Sequence, residues 1–393
     1  MWKTTKWLAL IAFSIILALF SSQPPIVSDR PPFSHTEIEQ EMMGIAAYCL
    51  DLYSQMENAP GFEGLLCLPT TEESLSVAER IAEMEYAVVR PDGDMYNHEA
   101  VYHFYEAVLC GSDAELGIYL VQNNLTRLGF MTRDGKVHYT VYHLYFDVDF
   151  TPYISSDEGS STLEVFQITE KGYLLWGQNR MPQGKFVFRY GLRAKPLGAE
   201  KRALEQKYLE PLGGYAGHNA LTTDWNIDNL SALNFNEIFE PLYNYQSGSN
   251  FAEDFMEPYN FDGAVYMQAV PGKLFEDIVT KYFPISADSL REAAVYSHDN
   301  EAYAGEAMWL QYYYNPQWEV VDFFANTDGS LTLVVDAVST PHGKDKVATN
   351  YLTVMPGEDD SFYYLSNTCE RFYEDWEKVN LWPYFHEYGA RIK

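Results

Sequence analysis

From Glu115 to Ala194 the chain breaks into six β-prone stretches, GIYLVQ, LTRLGFMT, KVHYTVYHLYFDVDF, LEVFQIT, YLLWGQ and KFVFRYGLRA, with two to six residues between neighbours except before LEVFQIT. A parallel crossover takes about a dozen residues, so successive strands this close must pair antiparallel. Asp134-Gly135 and Lys171-Gly172 fall between stretches, where they suit tight hairpin turns. The spacing therefore predicts a β-meander.

Helical periodicity precedes it. Ser34 with Glu37 forms a capping box, and Ile38, Met42, Ile45, Cys49, Leu52 and Met56 follow at helical spacing. Thr70 with Glu73 repeats the device ahead of Leu75, Ala78, Ile81 and Ala82. A third pattern, Val101, Phe104, Tyr105, Val108 and Leu109, stops at Gly111, a suitable C-terminal glycine. A connector follows, with a short charged helix and the loop Gly213-Gly214-Tyr215-Ala216-Gly217. The order then recurs. Helical patterns lie around Leu233 to Tyr245, Leu274 to Phe283 and Ser286 to Ala294, and they lead into VVDFFAN, SLTLVVDAV, VATNYLTVM and SFYYLSN, with a turn at Asp328-Gly329. Phe275, Ile278, Val279 and Tyr282 make an apolar stripe expected to face the core.

These patterns predict an α+β chain: N-terminal helices followed by an antiparallel β-meander, then a second helices-plus-meander half. The expected halves are residues 34–195 and 226–368, joined by a connector at 196–225. Hydrophobic residues make up 47% of the chain and aromatics 16%. Disordered chains are poor in aromatics, so a large core is expected. The tail, residues 369–393, carries Phe372, Tyr373, Trp376, Trp382, Tyr384, Phe385 and Tyr388 and is expected to pack back onto the body.

The formal charge is −30, from 26 basic against 56 acidic residues. A surface of that sign repels phosphate backbones and anionic headgroups, which argues against nucleic acid as a partner. Residues 1–22 read as a signal peptide or signal anchor: Lys3 and Lys6, then an apolar run from Trp7 to Phe20, then Ser21 and Ser22. That run would span roughly 21 Å as a helix, short of a hydrocarbon layer of about 30 Å. A cleaved signal is favoured, although cutting after Ser21 leaves Leu19 where a small residue is wanted. Membrane contact is expected only through residues 7–20, if they are retained. The prolines of QPPIVSDRPPF, residues 23–33, make an extended tether. The body is then expected outside the cytoplasm, secreted or anchored by its N-terminus.

Cys49, Cys67, Cys110 and Cys369 allow three pairings, with Cys49 and Cys67 nearest in sequence. Cys49 also falls on the apolar side of a helical pattern, where a buried thiol is common. No C-x-x-C occurs.

The catalytic and metal motifs fail on geometry. His98 and His103 are five residues apart, about 140° around a helix, so they do not share a face for zinc. The run from Asp147 to Glu158 spaces oxygen ligands like a calcium loop, but Pro152 stands where glycine must turn the chain. No G-x-S-x-G, P-loop or G-x-G-x-x-G is present. No metal or cofactor is expected, and no catalytic residue can be named. A carboxylate pair for glycan hydrolysis has no sequence signature and stays open as the alternative. Arg189, Arg193, Lys195, Lys201, Arg202 and Lys207 concentrate positive charge around the connector. They pair with acids of the neighbouring half or form a small anion-binding or docking patch. Asn124-Leu-Thr126 and Asn229-Leu-Ser231 are glycosylation sequons only where the cell has that machinery.

At Tyr282-Phe-Pro-Ile-Ser-Ala-Asp-Ser-Leu-Arg-Glu-Ala-Ala-Val-Tyr296 and at Thr327-Asp-Gly-Ser-Leu-Thr-Leu-Val-Val-Asp-Ala-Val338 the chain resembles a family of uncharacterised exported proteins of Gram-positive bacteria. The resemblance extends from about residue 36 to 368. It implies an extracytoplasmic location and no activity. Members are often lipid-anchored, and this chain lacks the Cys that such attachment needs. The expectation is a non-enzymatic surface or secreted protein that binds a ligand or partner.

Overall fold

The computed structural model describes residues 34–55, 65–66, 71–121, 124–147, 151–156, 161–179, 187–213, 218–255, 258–261, 264–305 and 316–371. The export segment, the tether, Cys67, Thr70, the loop at 214–217, parts of the calcium-like run and the tail beyond Arg371 lie outside these residues. Among the described residues no helix is long and apolar enough to cross a membrane. The chain divides into two compact units with the boundary between Pro196 and Leu197.

In the N-terminal unit, α1 (His35–Gln55) and α2 (Thr71–Ala82) follow the predicted spacing. Their inward residues Ile38, Met42, Ile45, Cys49, Val77, Ala78 and Ile81 are buried together. Cys49 is a free thiol whose pKa burial pushes up to about 12, so it behaves as an inert apolar group. α3 (Glu99–Cys110) ends at Gly111, whose φ of 67° lets its N–H reach back to the last carbonyls.

The strands of this unit are β1 (Leu65–Leu66), β2 (Ala87–Val89), β3 (Met95–Tyr96), β4 (Ala114–Val121), β5 (Leu125–Arg133), β6 (Lys136–Asp147), β7 (Pro152–Ser156), β8 (Ser161–Thr162), β9 (Val165–Ile168), β10 (Tyr173–Asn179) and β11 (Val187–Arg193). Asp134 and Gly135 both hold positive φ in the β5–β6 hairpin, as a two-residue mirror-image turn requires. The predicted meander divides. β4, β5 and β6 form the centre of an eight-stranded sheet, while β9, β10 and β11 make a separate three-stranded one. Five short strands were not foreseen, β1, β2, β3, β7 and β8, and β2 runs parallel to β4, with β3 and α3 intervening in sequence.

Alternation along the central strands separates two buried faces. Tyr119, Val121, Leu125, Tyr142 and Leu144 pack against α1 and α2. The opposite face carries Phe130 and Tyr139, and Phe130 meets Phe166 at 5.3 Å and Trp176 at 5.5 Å between ring centroids, with Phe104 of α3 closing on Phe166. Burial on both faces is why these strands read as nearly continuous apolar runs.

The C-terminal unit begins with α4 (Ala199–Leu204), which runs into a π-helical turn, Glu205–Leu209, and a 3-10 turn, Glu210–Leu212. Its other helices are α5 (Phe235–Ser247), α6 (Phe251–Asp254), α7 (Gly272–Tyr282) and α8 (Ala287–Ala293). Ser286 caps α8 by accepting the Ser289 N–H. The predicted stripe of α7, Phe275, Ile278, Val279 and Tyr282, is core. β12 (Trp225–Asn226) joins β17 (Gln317–Ala325), β18 (Leu331–Ser339), β19 (Lys344–Pro356) and β20 (Phe362–Arg371) in an antiparallel sheet of order β12-β20-β19-β18-β17. A second sheet, absent from the sequence expectation, pairs β13 (Pro258–Phe261), β14 (Ala264–Pro271), β15 (Tyr296–Ser297) and β16 (Ala302–Gly305) in the order β13-β14-β16-β15. Phe239 stacks on Phe275 at 4.5 Å and Phe275 on Tyr303 at 4.1 Å, which ties helices to this sheet. The fold class is α+β, as expected.

Candidate functional site

One charged side chain interrupts the apolar layer between α1 and the large sheet. Arg127 sits on β5 directly opposite Tyr119 of β4, with Tyr142 of β6 on its other side. Its side chain is only 2% exposed. A guanidinium in that position needs partners, because burying an unpaired charge is far more expensive than burying a paired one. Glu41, nearly two turns into α1, supplies the first: Arg127 Nε donates to Oε1 at 3.0 Å and Nη2 to Oε2 at 3.5 Å. Glu115 on β4 supplies the second, accepting from Nη2 at 3.2 Å. The Tyr119 hydroxyl donates to Glu41 Oε1 as well. Burial works to lower the Arg127 pKa, and Tyr119, Glu41 and Glu115 outweigh it and hold the group above its ordinary value.

Space for the guanidinium comes from glycine. Gly117 on β4 faces Gly129 on β5, next to the Tyr119–Arg127 pair. A Cβ on Gly117 would lie 3.0 Å from Nη2 and 3.1 Å from Cζ and Nε, so a larger residue there would push Arg127 away. Arg127 forms part of the wall of a cleft of about 600 Å³. Glu37, Glu41, Glu85, Tyr86, Glu115 and Arg133 line the same cleft. The third guanidinium nitrogen, Nη1, is buried and has no acceptor. Native proteins satisfy nearly all such groups, so this buried donor is an exception within the cluster.

Glu85 adds a backbone observation. It turns the chain out of α2 with φ of 67°, a conformation that glycine adopts freely and a residue with a Cβ does not. Replacing it by glycine is expected to stabilise the unit by about 0.5–1 kcal/mol. Thermal or urea unfolding of Glu85→Gly checks this, and a loss of stability would mean that the Glu85 side chain supports the fold.

The two carboxylates beside Arg127 are poorly arranged for glycosidic cleavage. That chemistry needs two carboxyls facing a sugar across a gap, one of them a proton donor. Here both turn onto one guanidinium that lies between them. Glu205 and Glu210, in the other unit, are the described acids with carboxyls pushed up to about 7, in both cases chiefly by burial. Glu205 accepts from the Val320 N–H at 2.7 Å and from Arg202 at 2.8 Å, contacts that anchor the π-helical turn. Neither acid lines this cleft or the groove of the C-terminal unit.

That groove, about 580 Å³, has related chemistry. Arg291 of α8 grips Glu276 of α7 through Nε at 2.7 Å and Nη2 at 3.1 Å, and the Tyr303 hydroxyl donates to the same carboxylate at 3.1 Å. The Arg291 side chain is 36% exposed and its pair is open to water, which weakens it relative to the buried Arg127 cluster.

The basic residues around the connector divide between units. Arg189, Arg193 and Lys195 belong to the first, where Arg193 lies over the Tyr173 ring at 5.2 Å. In the second, Lys201 donates to the Val321 carbonyl, Arg202 pairs with Glu205, and Lys207 pairs with Asp360 at 2.7 Å. His98 sits at the N-cap of α3 beside Glu99, and His103, five residues on, lies beside Glu106. Sequence reasoning missed Arg127, Glu41, Glu85 and Glu115. The available signal was an arginine at an inward position of the apolar strand LTRLGFMT, with glycines close by on both strands.

Residues 35–378 match a family described as Family of unknown function (DUF6070). No curated protein and no solved structure matches the chain.

Proposed function

Because the chain belongs to that family, whose function is unknown, we propose from its own residues that it is an exported, non-enzymatic ligand-binding protein that uses the Arg127 cleft. The observation that carries this reading is the polar cleft whose wall includes Arg127, a buried guanidinium clamped by Glu41 and Glu115. An arginine held by carboxylates through two of its nitrogens keeps its orientation when a ligand arrives, so this part of the wall is preorganised. Tyr86 and apolar groups such as Ile38 and Met131 complete a mixed lining suited to a small polar molecule. The basic, apolar and small-residue order of residues 1–22 supports delivery across the membrane, with the body secreted or held by its N-terminus.

A thermal-shift screen of the whole chain against amines, sugars, amino acids and carboxylates tests the binding reading. A stabilising ligand is expected, and Arg127→Lys, which removes the forked donors, is expected to abolish the shift. Turnover of a glycan that disappears in Glu41→Gln would replace this reading with a hydrolase. Separating membrane, medium and cytosol of the native cell tests export, and recovery of the protein in the cytosol would refute it.

A further inference from the structure

We infer that α4 and the π-helical turn after it form a clasp on the edge of β17 that loosens as pH rises to neutrality. The device is independent of the Arg127 cleft, which lies in the other unit. Among the described residues β17 is the last strand of its sheet, so the backbone groups on one side of it meet no neighbouring strand. Its ladder with β18 shifts between Val320 and Asp322, which leaves Val321 as a bulge. Two side chains from α4 and the turn meet this bulge. Glu205 accepts the Val320 N–H at 2.7 Å, and Lys201 donates to the Val321 carbonyl. An acceptor and a donor thus stand where another strand would offer its carbonyl and N–H. The turn that carries Glu205 is π-helical, a rare form found mostly where a helix has a functional part.

Glu205 makes the clasp sensitive to pH. Its side chain is 10% exposed, and this burial disfavours the carboxylate. Arg202 of α4, which donates to Oε2 at 2.8 Å, and the Val320 N–H favour it, while Glu319 of β17, itself buried, adds a second carboxyl nearby and disfavours it. Of the other charged groups on these elements, Lys201 is engaged by the Val321 carbonyl, Lys207 by Asp360, and Glu210 follows in the 3-10 turn. The Tyr364 hydroxyl of β20 donates to the Tyr208 carbonyl. Burial prevails, and the Glu205 carboxyl is pushed up to about 7. Opening the clasp returns Glu205 to water and to the ordinary value of 4.5. Between those values the closed clasp holds a proton that the open clasp has released, so each step up in pH across the window favours opening.

Backbone hydrogen exchange of the whole chain, corrected for the intrinsic effect of pH on exchange, reads the opening at the Val320 amide. Its opening constant is expected to rise by about tenfold or more between pH 5 and pH 8, while amides in the middle of β18 and β19 change much less. Glu205→Gln keeps an oxygen for the Val320 N–H and has no proton to release, so its Val320 opening is expected to change less than about threefold over the same range. A Val320 opening constant that stays flat with pH in the wild-type chain overturns the inference whether or not the variant folds. An equal rise in Glu205→Gln also overturns it, because another group would then carry the effect. A parallel rise in β18 and β19 does so too, since the whole sheet would be unfolding rather than the clasp releasing.

Discussion

Replacing Arg127 by alanine is expected to lower the unfolding free energy by about 3 kcal/mol. Removing one partner of a buried ion pair typically costs about 3–5 kcal/mol, because the other charge stays behind without compensation. The lower end applies here, since the side chains of Glu41 and Glu115 are 23% and 44% exposed and water can reach the abandoned carboxylates. The loss also empties the space beside Gly117 that the guanidinium fills. A paired change separates the two causes. Arg127→Met with Glu41→Leu removes the charges together and refills the volume, and it is expected to recover most of the lost stability. Urea unfolding with hydrogen exchange across β4, β5 and β6 reads the effect where it arises. A single substitution that costs less than about 1 kcal/mol would mean that Arg127 contributes little beyond its packing.

Glu210→Gln is expected to stabilise the C-terminal unit at pH 8 by up to about 3 kcal/mol and to change nothing near pH 4. Burial raises this carboxyl from 4.5 to about 7 in the folded chain. Between those values the folded state holds a proton that the unfolded state has released, so stability falls as pH rises from about 4.5 to about 7. Above that window the wild-type chain must keep a charged carboxylate where burial disfavours it, and glutamine has no charge to bury. Glu205 is raised in the same direction, but the Val320 N–H and Arg202 hold its carboxylate, so its glutamine variant should gain less. Unfolding of wild type and Glu210→Gln at pH 4 and pH 8 decides the matter, and a gain of equal size at both would show that the proton is not involved.

Much of the secondary structure was legible because it is local. The helices His35–Gln55, Glu99–Cys110 and Gly272–Tyr282 show their apolar spacing and end signals within a single stretch of chain. The β5–β6 hairpin follows from Asp134-Gly135 between two apolar runs. Sequence distance left Cys49 open between a disulfide and a buried thiol, and the fold makes it a free thiol inside α1's buried face. β2, three residues long, gives no periodic signal and is held by β4 in parallel and by β3. The division of the first meander into two sheets was hidden too, because short linkers demand antiparallel neighbours without requiring one continuous sheet.

The sequence by itself determined the α+β character, the antiparallel hairpins, the apolar stripe of α7 and the strong negative charge, since each belongs to adjacent residues or to composition. Only the tertiary structure decided that Arg127, Glu41 and Glu115 form one cluster, with Arg127 and Glu41 separated by 86 residues along the chain. Inward-facing arginine and helix-borne glutamate look like ordinary charged residues until packing removes water from between them. Burial then turns a separation in sequence into an ion pair of a few ångströms, and that step depends on the whole unit being folded.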